Sequence, residues 1–202
     1  MLALAAKKIP YEPRRLVNSK REQKSETYLS LNPRGTVPTL VDGDIIVRET
    51  NAILAYLEAA YPDTPLLGTN PAQVAEIWQI VCETDARLRT PIGNVSRPIF
   101  RGRAMEMMDE IKQAIGPVHQ ELEALESSLD GRPYLCGETL TAADCAVFPA
   151  IMQLLRCANK DGAEVLELGV APLENYYPNL SAWAHRIENM PGYAEAYPPH
   201  WR

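Results

Sequence analysis

Apolar positions in the first sixty residues of the chain follow two different periods. Residues 2–8 have helical spacing, whereas residues 11–17 are typical of an extended edge strand because they follow Pro10 and contain Pro13. Residues 50–61 return to helical spacing, and Pro62 ends that pattern.

Two short apolar runs between these segments predict a β-hairpin. Residues 38–41 and 45–47 flank Asp42-Gly43-Asp44, and an Asp-Gly pair between apolar runs favours a tight turn. The first part of the chain is therefore predicted to be a small α/β unit.

The pattern changes after residues 62–71, which are rich in Pro and Gly and are typical of a linker. Residues 72–90 predict a helix, and a long helix follows with an apolar seam in steps of three and four. The seam consists of Met108, Ile111, Ile115, Val118, Leu122, Leu125 and Leu129. It fits a helical bundle better than a coiled coil because it spans only about three heptads, and Gly116-Pro117 predict a kink or break.

The segment that begins at Leu140 has the sequence pattern of a helix N-terminus. In Leu140-Thr141-Ala142-Ala143-Asp144, Thr141 and Asp144 have the spacing of a capping box, in which each side chain bonds the other residue's amide. We interpret both residues as structural rather than catalytic.

Composition excludes several classes of function. The 202-residue chain has a formal net charge of −6, which disfavours a nucleic-acid partner, and it lacks an apolar run long enough to span a membrane. Its four cysteines form no CxxC pair and have no His at metal spacing, so we expect reduced thiols in a cytoplasmic protein and no metal.

Four pieces in order resemble the glutathione transferase (GST) superfamily. They are the segment 31–40 (LNPRGTVPTL), the segment 49–53 (ETNAI), the Pro-rich linker, and the segment 140–144 (LTAAD). The resemblance implies an α/β plus all-α fold, in which a thioredoxin-like N-terminal domain is followed by a GST-type helical bundle. The expected boundaries are 1–61 for the glutathione-binding domain, 62–71 for the linker and 72–202 for the helical domain.

The resemblance also implies a glutathione site. It implies that the Val37–Pro38 bond is cis and that the Val37 backbone pairs with the tripeptide. Glu49 would meet the γ-glutamyl ammonium, while Thr50 at a helix N-terminus would meet the carboxylate. The alternative is that Thr50 is only an N-cap and Glu49 an exposed charge.

Two further residues are candidates for the same ligand. Arg34 is expected near the glycine carboxylate, although a solvated loop charge fits equally well. Asp85 is the candidate acidic residue that family members supply from the neighbouring subunit to the γ-glutamyl ammonium.

The family pattern opens with a strand and a loop that carries the catalytic Ser, Tyr or Cys. Compared with that pattern, this sequence begins inside the first helix, so the catalytic residue is unknown. Tyr11, Ser19, Ser25 and Tyr28 all follow that helix and do not inherit the role by position. We expect either a rearranged sheet or a misplaced start.

The function implied by the resemblance is conjugation of glutathione to small apolar electrophiles, as in detoxification, by a cytoplasmic homodimer. Whether this chain is an enzyme is left open because the thiol-activating position is absent. The alternative function is a non-catalytic binding or interaction module with the same fold.

Overall fold

The computed structural model describes residues 1–201, apart from the side chains of Asn18 and His200; Arg202 lies outside the described residues. The first part contains three helices and a hairpin, which are α1 (Leu2–Ala6), α2 (Glu26–Leu31), β1 (Thr39–Asp42), β2 (Ile45–Arg48) and α3 (Thr50–Ala60). The second part is helical, and its helices are α4 (Pro71–Glu83), α5 (Arg89–Phe100), α6 (Met108–Ser128), α7 (Ala142–Ala158), α8 (Pro178–Glu188) and α9 (Tyr193–Ala196).

The predicted hairpin is confirmed. Strands β1 and β2 pair antiparallel and are joined at Gly43, whose φ of +58° suits a residue without a side chain. Asp42 fastens the hairpin to α3, because its Oδ2 accepts hydrogen bonds from the hydroxyls of Tyr56 (2.8 Å) and Tyr61 (2.6 Å).

The predicted edge strand over residues 11–17 is wrong. Among residues 1–201 the sheet has two strands, and the segment 11–17 pairs with neither. Its middle residues 12–15 are exposed. Extended spacing therefore did not lead to strand pairing, since a strand needs a neighbour that supplies backbone partners.

The first long helix is longer than the sequence predicted. Helices α4 and α5 are joined by a π-helical turn, Thr84–Leu88, so that helical structure continues from residue 71 to residue 100 through Pro91 and Pro98. Such π turns are rare and often lie at functional sites.

Helix α6 carries the predicted seam, and its central residues Ile111, Val118 and Leu122 are fully buried. Of the kink or break predicted at Gly116-Pro117, the break does not occur, since the helix continues through Pro117. The buried residues on both sides of Pro117 hold the helix in place although one backbone hydrogen bond is missing there.

The start of α7 is a polar centre inside the helical part. Thr141 and Asp144 form a capping box there. Asp144 is fully buried and also accepts hydrogen bonds from the Leu135 amide (3.0 Å) and the Trp183 indole (2.8 Å). The carboxylate therefore connects the start of α7 to the preceding loop and to α8.

Candidate functional site

The register of the hairpin brings the predicted glutathione residues to one end of the sheet. The last pair of the ladder is Thr39 with Arg48, so Val37-Pro38 and Glu49-Thr50 continue from the two strands at the same end. The Val37–Pro38 bond is cis, as the resemblance implied, and Val37 is 55% exposed. This end of the hairpin is the candidate site.

The loop that leads into this end is fixed by side-chain hydrogen bonds. Asn32 is fully buried; its Nδ2 donates to the Thr36 carbonyl (2.8 Å) and its Oδ1 accepts from the Arg34 amide (3.1 Å). The Tyr28 hydroxyl donates to the same Thr36 carbonyl at 2.6 Å. The backbone on both sides of Val37 is thereby held in place before any ligand arrives.

Gly35 is required in this loop for two reasons. Its φ is +59°, and an added Cβ would lie 2.7 Å from the Gln23 carbonyl oxygen and 2.7 Å from Lys24 Nζ. Lys24 in turn donates to the Arg34 carbonyl at 2.8 Å. The close packing of these residues sets the course of the chain at Arg34.

The start of α3 has a strained backbone and free amides. Glu49 is the N-cap residue with φ 70° and ψ 131°, a conformation unusual for a residue with a side chain, and it makes no side-chain cap bond. Strain of this kind costs about 1–3 kcal/mol and concentrates at ligand sites. Thr50 is the first helical residue, so its assignment as the N-cap is wrong, whereas Glu49 is exposed as the same alternative predicted.

Arg34 and Glu49 lie on a common groove. It is open to solvent, has a volume of about 690 Å³ and is lined by Arg34, Ile46, Val47, Arg48 and Glu49. A carboxylate and two guanidinium groups on one groove suit a ligand that carries both signs of charge. Arg34 and the strained Glu49 therefore line the same groove.

Asp85 reaches the same helix start from the π-helical turn. Its Oδ2 accepts a hydrogen bond from Asn51 Nδ2 at 2.7 Å, and its Oδ1 accepts one from Arg89 Nε at 2.6 Å. Arg89 also donates to the Ala146 carbonyl on α7 at 3.2 Å. Within this chain, both carboxylate oxygens of Asp85 therefore have hydrogen-bond partners. The bond to Asn51 holds in place the residue that directly follows Thr50.

Asn51 was missed by the sequence reasoning. It lies 34 positions from Asp85, and no periodicity connects them; the only signal was its place directly after Glu49-Thr50. Its Oδ1 is buried and has no hydrogen-bond partner among the described residues. The Asp85 carboxylate only accepts hydrogen bonds, so the Asn51 side chain must turn its Nδ2 toward Asp85. Its Oδ1 is therefore on the opposite side of the amide group.

Three of the hydroxyl groups that follow the first helix have hydrogen-bond partners. Ser25 Oγ accepts from the Tyr28 amide and caps α2, and the Tyr28 hydroxyl is bound within the loop 36–39. The Tyr11 hydroxyl is 3.4 Å from the Glu195 carbonyl. These contacts stabilise the fold.

The cysteines of the described chain are free thiols. Burial raises the pKa of Cys145 to about 12, and burial likewise raises the pKa of Cys136 and of Cys157 to about 12. These three thiols stay protonated at neutral pH and are poor nucleophiles.

Other kinds of site receive no support from the part of the chain that the structure describes. Among the side chains that the structure describes, no three or more of His, Cys, Asp or Glu are placed to hold a metal ion. Within the same range no helix has both the length and the apolar character needed to cross a membrane. A second cavity of about 240 Å³ lies between α4 and α6, but it contains none of the predicted site residues.

The fold defines the class of protein. A small thioredoxin-like unit with a two-stranded sheet is followed by a helical bundle, and residues 1–60 and 103–186 match the models of the glutathione S-transferase N-terminal and C-terminal domains.

Relatives and solved structures agree with these matches. The chain is 33% identical over 183 residues to glutathione S-transferase F14 of Arabidopsis thaliana (85% of this chain, 67% of that one). It is 32% identical over 196 residues to human glutathione S-transferase theta-2B (91% and 72%). The crystal structure of a glutathione S-transferase from the Antarctic clam Laternula elliptica has a TM-score of 0.79 at 30% identity, covering 99% and 86% of the two chains.

A bacterial structure has the same fold with ligand present. It is a glutathione transferase family member from Pseudomonas fluorescens with two glutathione molecules bound, with a TM-score of 0.81, 22% identity, and coverage of 96% and 84%. On the family-model matches and the Arabidopsis and human relatives, this chain belongs to the glutathione S-transferase family.

Proposed function

We propose that this chain binds glutathione at the end of the hairpin and the start of α3, as a protein of the transferase type. The site would serve the conjugation of glutathione to small apolar electrophiles. Glutathione supplies the nucleophile in such a reaction, as its cysteine thiolate. The residues that would hold it are Arg34, Val37, Pro38, Glu49 and Thr50.

The observation that carries this proposal is the start of α3. The first amides of an eleven-residue helix are left without a side-chain cap, next to a carboxylate held in a strained conformation. Free amides at a helix N-terminus favour a carboxylate, and a neighbouring Glu favours an ammonium. An α-amino acid end, as in the γ-glutamyl group, presents both charges on one carbon.

The remaining residues fit the other parts of a tripeptide. Val37 is exposed, and the loop around it is held by Asn32 and Tyr28, which supports an extended ligand beside its backbone. Arg34 on the same groove as Glu49 supports the second carboxylate of glutathione.

Assembly and location are further parts of the proposal. We infer a homodimer in the cytoplasm, with detoxification of electrophiles as its role. Asp85 of one subunit would then approach the γ-glutamyl ammonium bound by the other. The bonds of Asp85 to Asn51 and Arg89 give it a second role within its own subunit, which is tested separately below.

The second candidate function is a non-catalytic interaction module. Exposed apolar side chains on the hairpin favour it, since Val41, Ile45 and Ile46 are 52%, 49% and 43% exposed. Val41 and Ile46 are cross-strand partners on one face of the hairpin, whereas Ile45 lies on the other face. Exposed apolar groups that share a face are typical of a contact with another protein. Glutathione-dependent conjugation of chlorodinitrobenzene above the uncatalysed rate by this chain would exclude this reading.

Calorimetric titration of glutathione into the purified 202-residue chain tests the main proposal. We expect binding that Glu49→Ala weakens by at least about tenfold, since a charge-assisted hydrogen bond contributes roughly 1.5–3 kcal/mol. Glu12→Ala is the matched control, because Glu12 is an exposed carboxylate on the segment 11–17. Equal affinities for the two variants, or no binding by the unaltered chain, would contradict the proposal.

A further inference from the structure

The outer edge of strand β2 is open. In the described part of the chain, β2 pairs with β1 on one side and with no strand on the other. Three of its four residues, Ile45, Ile46 and Arg48, are exposed. An open edge presents backbone N–H and C=O groups that can pair with a further strand. This edge is therefore a surface on which another chain can bind.

The register of the hairpin fixes which backbone groups of β2 point outward. Asp42 pairs with Ile45 across a two-residue turn. In an antiparallel hairpin with such a turn, the pair next to the turn is hydrogen-bonded, and hydrogen-bonded and non-hydrogen-bonded pairs then alternate. The N–H and C=O groups of Ile45 and Val47 therefore point to β1, whereas those of Ile46 and Arg48 point to the open edge.

The hairpin has one face that is turned away from α3. Asp42 bonds two tyrosines of α3, so the face that carries Asp42 is turned toward that helix. Val41, Ile46 and Arg48 lie on the opposite face, because successive side chains alternate and Val41 is the cross-strand partner of Ile46. All three are exposed. The outward face therefore carries an apolar pair next to a positive charge.

Opposite charges flank Ile46 at equal separations along the chain. Asp44 precedes it by two residues and Arg48 follows it by two. Both side chains are exposed, and neither takes part in a salt bridge among the described side chains. A two-fold axis at Ile46 therefore brings each of these charges opposite its counter-charge in a second copy.

We propose that β2 pairs antiparallel with β2 of a second copy of this chain, around a two-fold axis at Ile46. Ile46 then lies opposite the partner subunit's Ile46, and Arg48 lies opposite the partner subunit's Asp44. The symmetry makes this charge pair occur twice. The register uses the outward N–H and C=O groups of Ile46 and Arg48. In the resulting four-stranded sheet, Val41 and Ile46 of the two copies form one apolar row across the strands.

The other pairings of these edges lack the charge complementarity. A two-fold axis at Val47 also matches outward backbone groups, but it sets Ile46 opposite the partner subunit's Arg48 and leaves that charge without a counter-charge. At the edge of β1, Asp42 is the one charged residue of the strand, and its carboxylate is already bonded to α3. Charge therefore selects both the edge of β2 and the register.

The contact is small, so the association depends on protein concentration. Two paired four-residue strands bury less than the roughly 1,200 Å² at which stable protein complexes begin. The contact is also separate from the one in which Asp85 would reach a neighbouring subunit, and it does not depend on the glutathione site. A chain that makes both contacts assembles beyond a dimer.

Charge reversal tests the register. Sedimentation velocity of the purified 202-residue chain, from low to high micromolar concentration, should show an association step that Asp44→Arg weakens roughly tenfold, because two Arg–Arg pairs replace two ion pairs. The double variant Asp44→Arg/Arg48→Asp restores both ion pairs in reversed order and should recover the association constant to within about threefold. Asp63→Arg changes the net charge equally at an exposed site outside the hairpin and should leave the step unchanged.

Hydrogen exchange of single amides locates the contact. The amides of Ile46 and Arg48 should exchange at least about fivefold more slowly at high than at low protein concentration, whereas those of Ile45 and Val47, already bonded to β1, should change little. Asp44→Arg should remove this concentration dependence. Exchange at Ile46 and Arg48 that does not depend on concentration would overturn the proposal, even if the chain associates through another contact. Failure of the double variant to recover association would overturn the register.

Discussion

At the scale of single residues, Asp144 and Glu49 are both carboxylates at the start of a helix, but their surroundings are opposite. Asp144 has no exposed surface, and hydrogen-bond donors surround it. Glu49 is exposed, has no side-chain cap bond and has a strained backbone. A buried carboxylate whose oxygens all accept hydrogen bonds stabilises the fold. A carboxylate without such partners, on a strained backbone, is suited to binding a ligand.

The Asp144→Asn substitution should destabilise the protein by about 3 kcal/mol. The Asn amide group would face at least one of the donors that now bind the carboxylate, namely the Thr141 amide, the Leu135 amide or the Trp183 indole, and an unpaired buried donor is costly. Urea unfolding monitored by circular dichroism measures the change. Asp130→Asn is the exposed control, expected within about 0.5 kcal/mol of the unaltered chain. A loss below about 1 kcal/mol for Asp144→Asn would contradict this account.

At the scale of elements, the π-helical turn and the start of α3 act as one unit. The turn places Asp85 where it bonds Asn51 on α3 and Arg89 on α5. Arg89 extends the connection to the Ala146 carbonyl of α7. The first turn of α3, which we propose as the glutathione cradle, is thereby supported by the helical part of the molecule.

Exchanging the donor and the acceptor of the Asn51–Asp85 hydrogen bond tests whether Asp85 supports the start of α3. Asn51→Asp should weaken glutathione binding by roughly tenfold, because two carboxylates would face each other across about 3 Å. The double variant Asn51→Asp/Asp85→Asn restores a donor and an acceptor with reversed direction, and it should recover affinity to within about threefold. Calorimetry measures affinity, and hydrogen exchange of the first amides of α3 reports the support independently of glutathione.

The rescue distinguishes two roles of Asp85. If Asp85 supports α3 through Asn51, the double variant recovers both affinity and amide protection. If Asp85 instead binds the γ-glutamyl ammonium of the neighbouring subunit directly, amide protection recovers and affinity does not. Unchanged amide protection in Asn51→Asp would exclude the supporting role.

At the scale of the whole molecule, the two parts are joined through the segment 62–71. Lys7 is almost fully buried, and its Nζ bonds Glu58 (3.0 Å), the Tyr61 carbonyl (2.9 Å) and the Thr64 carbonyl (2.6 Å). Glu58 also accepts from the Leu66 amide, and the Leu66 carbonyl accepts from the Ala142 amide at the start of α7. The segment that the sequence identified as a linker is therefore packed between the parts.

This junction should make stability depend on pH in the acid range. Burial by itself would raise the pKa of Glu58, but the Leu66 amide, the Lys7 ammonium and the Leu67 amide together lower that pKa below its ordinary value. A lowered folded-state pKa contributes stability above the unfolded-state value of about 4.3, and the contribution is lost as the pH falls through the folded-state pKa.

Unfolding free energies of the unaltered chain and of Glu58→Gln, measured from pH 6 to pH 3, test this dependence. We expect the unaltered chain to lose more stability on acidification than Glu58→Gln, with the two curves converging at the acid end. The exposed Glu12→Gln control should follow the unaltered chain. Parallel curves for Glu58→Gln and the unaltered chain would show that Glu58 does not contribute.

Elements that depend only on residues close together in the sequence were predicted well. The hairpin around Asp42-Gly43-Asp44 and the apolar seam of α6 required only local turn preference and helical period. The failures were the edge strand over residues 11–17 and the end of the first long helix, and of the kink or break predicted at Gly116-Pro117 the break did not occur. Each of these depended on whether distant residues supplied partners or packing.

The candidate site divides in the same way. The sequence by itself predicted the residues on which it is built, because the motifs singled out Arg34 and the segments 37–38 and 49–50, and the resemblance pointed to Asp85 on the first long helix. Tertiary structure alone decided that Arg34 shares a groove with Glu49 and that Asp85 bonds Asn51. The reason is physical: turn preference and helical period act over a few residues, whereas these contacts join residues 15 and 34 positions apart once the core has placed their helices and loops together.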